Sequence, residues 1–232
     1  MRTLHVSAGG NGERIAGLTS AASPSVPKHL LSLPTKHHTI LGEIVGSAIE
    51  SFNQIIIWAN EHNRVQIANA LINTRGLSTE VDEAMSGPLG PMVRSALSTG
   101  MRTYGCAGDF YCNFSWEMFE QFHDIHGLPV SVLIAKSVPA PGGARFLLEE
   151  GRIIRWQRVE QTTEHDQINI GCYIIDPTPE VVAILRGLQG HKEDLFFDAF
   201  VSRGLVTGYD PGILGFNVNI AAVYHALLRT LE

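Results

Sequence analysis

Glycine, arginine and lysine near the N-terminus make the clearest chemical pattern in this chain. Ser7-Ala8-Gly9-Gly10-Asn11-Gly12-Glu13-Arg14 follows the short apolar run Leu4-His5-Val6, and Val26-Pro27-Lys28-His29 comes soon after. A strand that opens at once into a Gly-rich turn gathers backbone N–H groups around one point. Glycines there lack the Cβ that would keep a polyphosphate away. Arg14 and Lys28 add two fixed positive charges for the same anion.

Two familiar phosphate loops do not fit. A P-loop closes its glycine run with Gly-Lys-Ser/Thr, which the chain lacks. The dinucleotide fingerprint needs a third glycine three residues after Gly12, where Ile15 stands, and no acidic residue stands out at the usual distance. What remains is a polyphosphate-binding turn of another kind, or an ordinary strand-to-turn glycine cluster with a surface arginine.

Asp109 is the next informative residue. Gly108-Asp109 ends a predicted strand, Thr103 to Ala107. Ligands of open α/β sheets bind at the carboxyl ends of strands, so Asp109 would face the same crevice as the Gly-rich turn. A carboxylate there can hold Mg²⁺, which takes one or two protein oxygens plus phosphate oxygens. It can equally cap the following turn or the helix near Ser115. Near the C-terminus, Asn217-Val218-Asn219 offers two neutral oxygens that point the same way only if the segment is extended. Asn219 also reads as a cap of the last helix.

Alternating apolar runs and amphipathic stretches must position these residues. Gln54 to Ala59 suits a buried parallel strand, and Arg64 to Ile72 carries apolar residues at helical spacing. Helices are predicted at Pro91 to Leu97 and at Ser115 to Ile125, with Ser115 as N-cap, and a strand at Val130 to Ala135. Strands at Ala144 to Glu149, Ile153 to Val159 and Ile168 to Ile175 follow, with a hairpin turn at Glu150-Gly151. Thr178 to Leu188, Glu193 to Ser202 and Ala221 to Leu231 close the chain as helices. The pattern predicts one α/β domain over 1–232: a Rossmann-like, three-layer α/β/α fold with a mixed, mostly parallel central sheet. The domain would have two parts, about 1–110 and about 111–232.

Composition narrows the class. The chain has 232 residues and a net charge of −6, with no basic run, which argues against nucleic-acid binding. Cys106, Cys112 and Cys172 form no CxxC or zinc pattern and fit a reducing compartment. The N-terminus shows no signal-peptide core and no apolar run approaches a membrane span, so a cytoplasmic location is expected. The histidines, including His29, His37, His38, His123, His126 and His165, are scattered and read as surface or structural residues.

These motifs together resemble the sugar-phosphate nucleotidyltransferases, over nearly the whole chain. Ala8 to Arg14 is similar to that family's Gly-rich turn and Pro27-Lys28 to its Pro-Lys step. Ser86-Gly87-Pro88-Leu89-Gly90-Pro91 stands at its base-contacting segment and Gly108-Asp109 at its metal-binding Gly-Asp. Val159-Glu160-Gln161 stands where many members have Val-Glu-Lys, and Asn169-Ile170-Gly171-Cys172-Tyr173 resembles the strand near the sugar. Asn217 occupies the second metal position, where many members carry Asp. Gln161 replaces a lysine that holds the sugar phosphate, leaving Arg158 or Lys136 as the substitute cation. The hexapeptide-repeat β-helix of some bifunctional members is not seen, so acetyl transfer is not expected.

The resemblance implies Mg²⁺-dependent transfer from a nucleoside triphosphate to a sugar 1-phosphate. Arg14 and Lys28 would be catalytic. Ala8, Gly9, Gly10, Asn11, Gly12, Gly87 and Gly90 would bind the nucleotide. Glu160, Asn169 and Gly171 would bind the sugar phosphate, and Asp109 and Asn217 the metal. Base, sugar and a homo-oligomeric state stay open. Two rivals remain: a degenerate nucleotide-binding homologue that regulates or scaffolds a partner, and a metal-dependent glycosyltransferase. The latter needs an Asp-x-Asp pair, whereas Phe110 and Tyr111 follow Asp109.

Overall fold

Apolar runs too short for helices become the strands that carry the site. The computed structural model describes residues 2–10, 26–72, 74–82, 89–136, 138–163, 166–188 and 192–232. β1 (Thr3–Ala8), β2 (Gln54–Ala59), β3 (Leu77–Val81) and β4 (Thr103–Ala107) lie parallel in the order β3-β2-β1-β4. Ile55, Ile57, Leu4, Val6, Tyr104 and Cys106 are buried along them. Parallel strands covered on both faces need such runs.

Helices cover both faces. On one side α1 (Ile40–Ala48), α2 (Glu61–Ala70), α4 (Trp116–His126) and α7 (Ala221–Leu231) bury Ile44, Ile67, Phe119 and Leu227 in one core. On the other, α3 (Gly90–Thr99), α5 (Pro179–Gly187) and α6 (Glu193–Val201) bury Met92, Leu185, Phe196, Phe197 and Phe200 in a second. Their starts follow local chemistry: the Ser115 hydroxyl accepts from Met118 N at 3.3 Å and the Thr178 hydroxyl from Val181 N at 3.3 Å. α1 buries Ile40, Leu41, Ile44, Val45 and Ala48 and turns Glu43 and Ser47 outward, a short polar face that two glycines make hard to read from sequence.

The mostly parallel, Rossmann-like expectation needs correction. β6 (Val130–Lys136), β7 (Pro141–Glu149), β8 (Arg152–Gln161), β9 (Gln167–Ile175) and β10 (Val206–Tyr209) complete a nine-stranded sheet of order β3-β2-β1-β4-β9-β6-β10-β8-β7. β9 runs antiparallel to both β4 and β6, and β7 pairs antiparallel with β8. β7 also pairs with β9, and β10 with β8, so the last five strands close into a ring. The cause is local. Glu150 (φ 49°) and Gly151 (φ 80°) form a two-residue turn of positive φ, which sends β8 back along β7 rather than across the sheet. The short β3 and β10 were not legible as separate strands. Cys106, Cys112 and Cys172 are buried. Among the described residues no helix is long and apolar enough to cross a membrane.

Candidate active site

β1 and β4 are parallel neighbours, so the chain leaves both at the same end of the sheet. Gly9-Gly10 and Gly108-Asp109 therefore emerge side by side. Gly108 N donates to Ser7 O at 2.8 Å, and a Cβ on Gly108 would lie 3.0 Å from that oxygen. A Cβ on Gly10 would lie 3.2 Å from Lys28 Cε. At Gly108 the close neighbour is backbone, which cannot readily give way; at Gly10 it is the flexible end of the lysine side chain.

Lys28 starts a 3₁₀ turn, Lys28–Leu30, directly after Pro27. Its ammonium is ion-paired with the Asp109 carboxylate and donates to Asn219 Oδ1 at 3.2 Å. Asn219 Nδ2 in turn donates to Asn217 Oδ1. Four side chains from three distant segments thereby form one chain. A second, two-stranded sheet holds it: β5 (Phe110–Tyr111) pairs antiparallel with β11 (Phe216–Asn217), and Val218 N donates to Asp109 O at 2.7 Å.

Two sequence alternatives close here. Asp109 caps no helix, since Ser115 caps α4. Asn219 is not the cap of α7: Ile220 stands there without a side-chain bond, and the Asn219 amide is spent on Lys28 and Asn217. Asn217 ends β11 and a tight turn follows, Asn219 N donating to Asn217 O at 2.9 Å, which brings the two carboxamides together.

Two neighbours carry no recognisable motif. Asn60 accepts from Asn63 N at 2.7 Å as the cap of α2 and donates to Gly9 O at 2.9 Å, while Asn63 Nδ2 donates to Gly10 O at 3.3 Å. They tie the Gly-rich turn to the start of α2. The only sequence signal was a helix-capping asparagine. His29 is buried beside Gly108, and burial lowers its pKa to about 4, so the imidazole is neutral next to Lys28. Ala8 is buried at the end of β1, and Gly90 is buried as the first residue of α3. Asn11, Gly12, Arg14, Gly87 and His165 lie outside the described residues.

The other half of the site centres on β9. Asn169 Nδ2 donates to Tyr173 Oη at 2.7 Å and to Glu193 Oε1 at 2.6 Å, and Asn169 Oδ1 accepts from Gly171 N at 2.8 Å. Tyr173 Oη donates to Glu193 Oε1 at 2.5 Å. Burial pushes the Glu193 carboxyl above the usual range, with the Asp194 and Asp109 charges acting the same way against Tyr173 and Arg158. Glu193 was not singled out from sequence, because a Glu opening a helix is ordinary. Arg158 Nη2 lies 3.6 Å from Glu193 Oε2 and is paired with Asp194. Glu160 is exposed on β8, on the strand face shared by Arg158. Lys136, the other substitute cation, is exposed at the end of β6.

Gly171 makes the Asn169 geometry possible. Its φ is +89°, and a Cβ there would sit 2.9 Å from Ala107 Cβ. The β6–β9 register slips across this point, from Val132↔Tyr173 to Ile134↔Asn169. Gly171→Val is expected to destabilise the fold by about 2–4 kcal/mol, combining left-handed strain with overpacking. A urea midpoint unchanged from wild type would refute this account.

The donor set suits Mg²⁺. An ammonium already draws the Asp109 carboxylate and the Asn219 carboxamide oxygen around positive charge, with Asn217 Oδ1 next along. Among the described residues no three His, Cys, Asp or Glu gather as a complete cage. One carboxylate plus amide oxygens matches an ion that takes much of its shell from water and phosphate.

No family model matches the chain. Solved structures do. A protein described as a glucose-1-phosphate thymidylyltransferase from Bacillus anthracis, in complex with a sucrose, superposes with a TM-score of 0.78 at 15% identity, covering 100% of this chain and 95% of that one. The inositol-1-phosphate CTP transferase from T. maritima gives 0.68 at 14%, covering 100% and 96%. HddC from Yersinia pseudotuberculosis complexed with GMP-PN gives 0.67 at 15%, covering 100% of both. The fold is therefore the mixed α/β fold of these structures, along the whole chain.

Proposed function

We propose that this chain joins a nucleoside triphosphate to a sugar 1-phosphate, giving a nucleotide sugar and pyrophosphate. The observation that carries the reading is the chain of contacts from Asp109 through Lys28 and Asn219 to Asn217, set at two strand ends beside the Gly-rich turn. An oxygen of the sugar phosphate attacks the α-phosphorus, the bond from that phosphorus to the bridging oxygen breaks, and pyrophosphate leaves with the electron pair. The attacking phosphate is already anionic, so no protein nucleophile or strong base is required. Catalysis rests on alignment and charge neutralisation.

Lys28 would exchange Asp109 for phosphate oxygens when the triphosphate enters, and Arg14 would meet the departing phosphates. Asp109 with Asn217 or Asn219 would hold a magnesium ion, which would supply positive charge against the charge of the reacting phosphates. The N–H groups of Gly9 to Gly12 would line the phosphates. On the sugar side, Asn169 has its amide committed within the fold. Glu193 Oε2 and Glu160 are then the oxygens left to receive sugar hydroxyls, and Arg158 is the cation beside them.

Pyrophosphate release, measured across the common nucleoside triphosphates and a panel of sugar 1-phosphates with Mg²⁺, tests the reading. Release is expected for at least one pair and only when both substrates are present. Nucleotide binding with no release across the panel would leave the scaffold reading instead. Within an active pair, Glu193→Gln should raise KM for the sugar phosphate about 10-fold or more, the cost of weakening a charged hydrogen bond of about 1.5–3 kcal/mol. KM for the triphosphate should stay near wild type. Equal rises in both would remove Glu193 from the sugar subsite.

A further inference from the structure

A second cleft lies away from the Lys28–Asp109 contact, where the ends of β6, β7, β8 and β9 curl together. Its volume is about 470 Å³, and Lys136, Arg145, Arg155, Gln157, Asp166 and Gln167 supply its polar lining. None of Lys28, Asp109, Asn169 and Glu193 lines it. That volume falls within the usual range for a small-ligand site, about 300–1,000 Å³.

The β7–β8 register explains how its charges come together. Arg145 stands opposite Gln157, and Leu147 opposite Arg155. Arg145 and Arg155 are therefore diagonal neighbours on one face of the hairpin, with Gln157 beside them, while Phe146 and Trp156 point to the other face, toward Phe197. Lys136 enters from the next strands, opposite Gln167. One carboxylate answers these three cations: Asp166, 3.1 Å from Arg145. That carboxylate is already engaged, since it also accepts from Thr163 N at 2.8 Å, and these contacts hold its pKa below the usual range despite burial. Among the described residues Arg155 and Lys136 have no ion-pair partner. Like charges on neighbouring positions repel, and here they do so in a chain whose net charge is −6. An anion between them removes the repulsion, and a guanidinium fork matches phosphate oxygens in pairs. Gln157 and Gln167 add neutral groups for the hydroxyls of an attached sugar.

We propose that this cleft is a second binding site, for a small phosphorylated metabolite, held by Arg155 with Arg145 and Lys136. The proposal uses none of the residues placed on the triphosphate or metal; it assigns Lys136, one of the two substitute cations, to this cleft, which leaves Arg158 as the cation of the sugar-phosphate side.

The test is a calorimetric titration of the full chain at low ionic strength with glucose 6-phosphate, inorganic phosphate and, as the uncharged control, glucose. It is run on a Lys28→Ala/Asp109→Ala/Arg158→Gln variant, so that the phosphate-holding cation of each half of the first site is removed. The phosphorylated probes are expected to bind this variant with one-to-one stoichiometry and glucose is not. Adding Arg155→Gln should weaken binding at least 10-fold, and Arg155→Lys should restore part of it. Raising the salt should weaken binding as well, as screening of the charges requires. Equal affinity for both phosphate probes places recognition on the phosphate alone, and tighter binding of glucose 6-phosphate assigns the site to a sugar ester. No binding to the variant, or binding indifferent to Arg155→Gln with an unchanged circular dichroism spectrum, overturns the proposal.

Discussion

Asp109→Ala is expected to lower turnover by about 10²- to 10³-fold, the usual cost of removing one charge-stabilising group from a preorganised site. The fold should survive, because the Asp109 side chain belongs to an ion pair at the edge of the crevice and to neither hydrophobic core. Lys28→Ala should cost turnover by the same order, with a smaller loss of triphosphate affinity, since interactions stronger in the transition state act on rate rather than on binding. The two variants should differ in metal binding. In the ligand-free protein the Lys28 ammonium occupies the Asp109 carboxylate, so a cation must displace it. Lys28→Ala is therefore expected to tighten Mg²⁺ binding in the absence of nucleotide, and Asp109→Ala to abolish it. Calorimetric titration with Mg²⁺ alone reads this directly. Wild-type turnover in Asp109→Ala, or metal affinity unmoved in Lys28→Ala, would show that the pair does not share the metal position. Arg14→Ala joins the same series on sequence grounds, with loss of turnover exceeding loss of nucleotide affinity as the expected result.

Folding stability is expected to fall steeply between pH 7 and pH 5, through two buried histidines. His29 and His5 both have pKa values lowered to about 4, first by burial, then by the positive charges of Lys28 and Arg94 respectively; Asp109 opposes the shift at His29. His5 Nδ1 also accepts from Trp58 Nε1 at 3.1 Å, which favours the neutral ring. A folded-state pKa below the unfolded value of about 6.5 means that the unfolded chain takes up protons first as the pH drops. The stabilisation is fully present above pH 6.5 and is lost as the pH falls toward 4. At pH 5 each histidine contributes about 2 kcal/mol of loss, so about 4 kcal/mol for the pair. Glu193, whose pKa is raised, acts in the opposite direction near the acid end of this window. Urea unfolding at pH 7, 6 and 5 measures the effect. His29→Gln with His5→Gln should flatten the profile, and a profile equally steep in that double variant would assign the protons elsewhere.

Much of the scaffold was legible in the order of residues. Gln54 to Ala59, Thr103 to Ala107 and Ala221 to Leu231 have the predicted ends, and Ser115 caps its helix as predicted. These are local matters of hydrophobic period, hydroxyl caps and turn residues, each decided within a few positions. The Gly-rich turn and Gly108-Asp109 were legible for the same reason, since both sit at strand ends that the apolar runs mark out.

Sequence by itself determined which chemical groups are present and, for the longer strands and amphipathic helices, which element carries each. Tertiary structure alone decided which of them meet. Lys28 and Asp109 are 81 positions apart, and Lys28 and Asn219 are 191 apart. Nothing local distinguishes Asn219 as a partner of that lysine from Asn219 as a helix cap; the β5–β11 pairing makes the choice. Glu193 joins Asn169 and Tyr173 because α6 packs Phe197 against Phe146 and Trp156, and Phe196 against Tyr173. The closed ring likewise depends on β7 reaching β9 and β10 reaching β8, pairings that no alternation of apolar and polar residues encodes. Strand periodicity fixes which face a side chain takes, but partner strands are selected by burial of the whole sheet, a property of the assembled chain rather than of any segment.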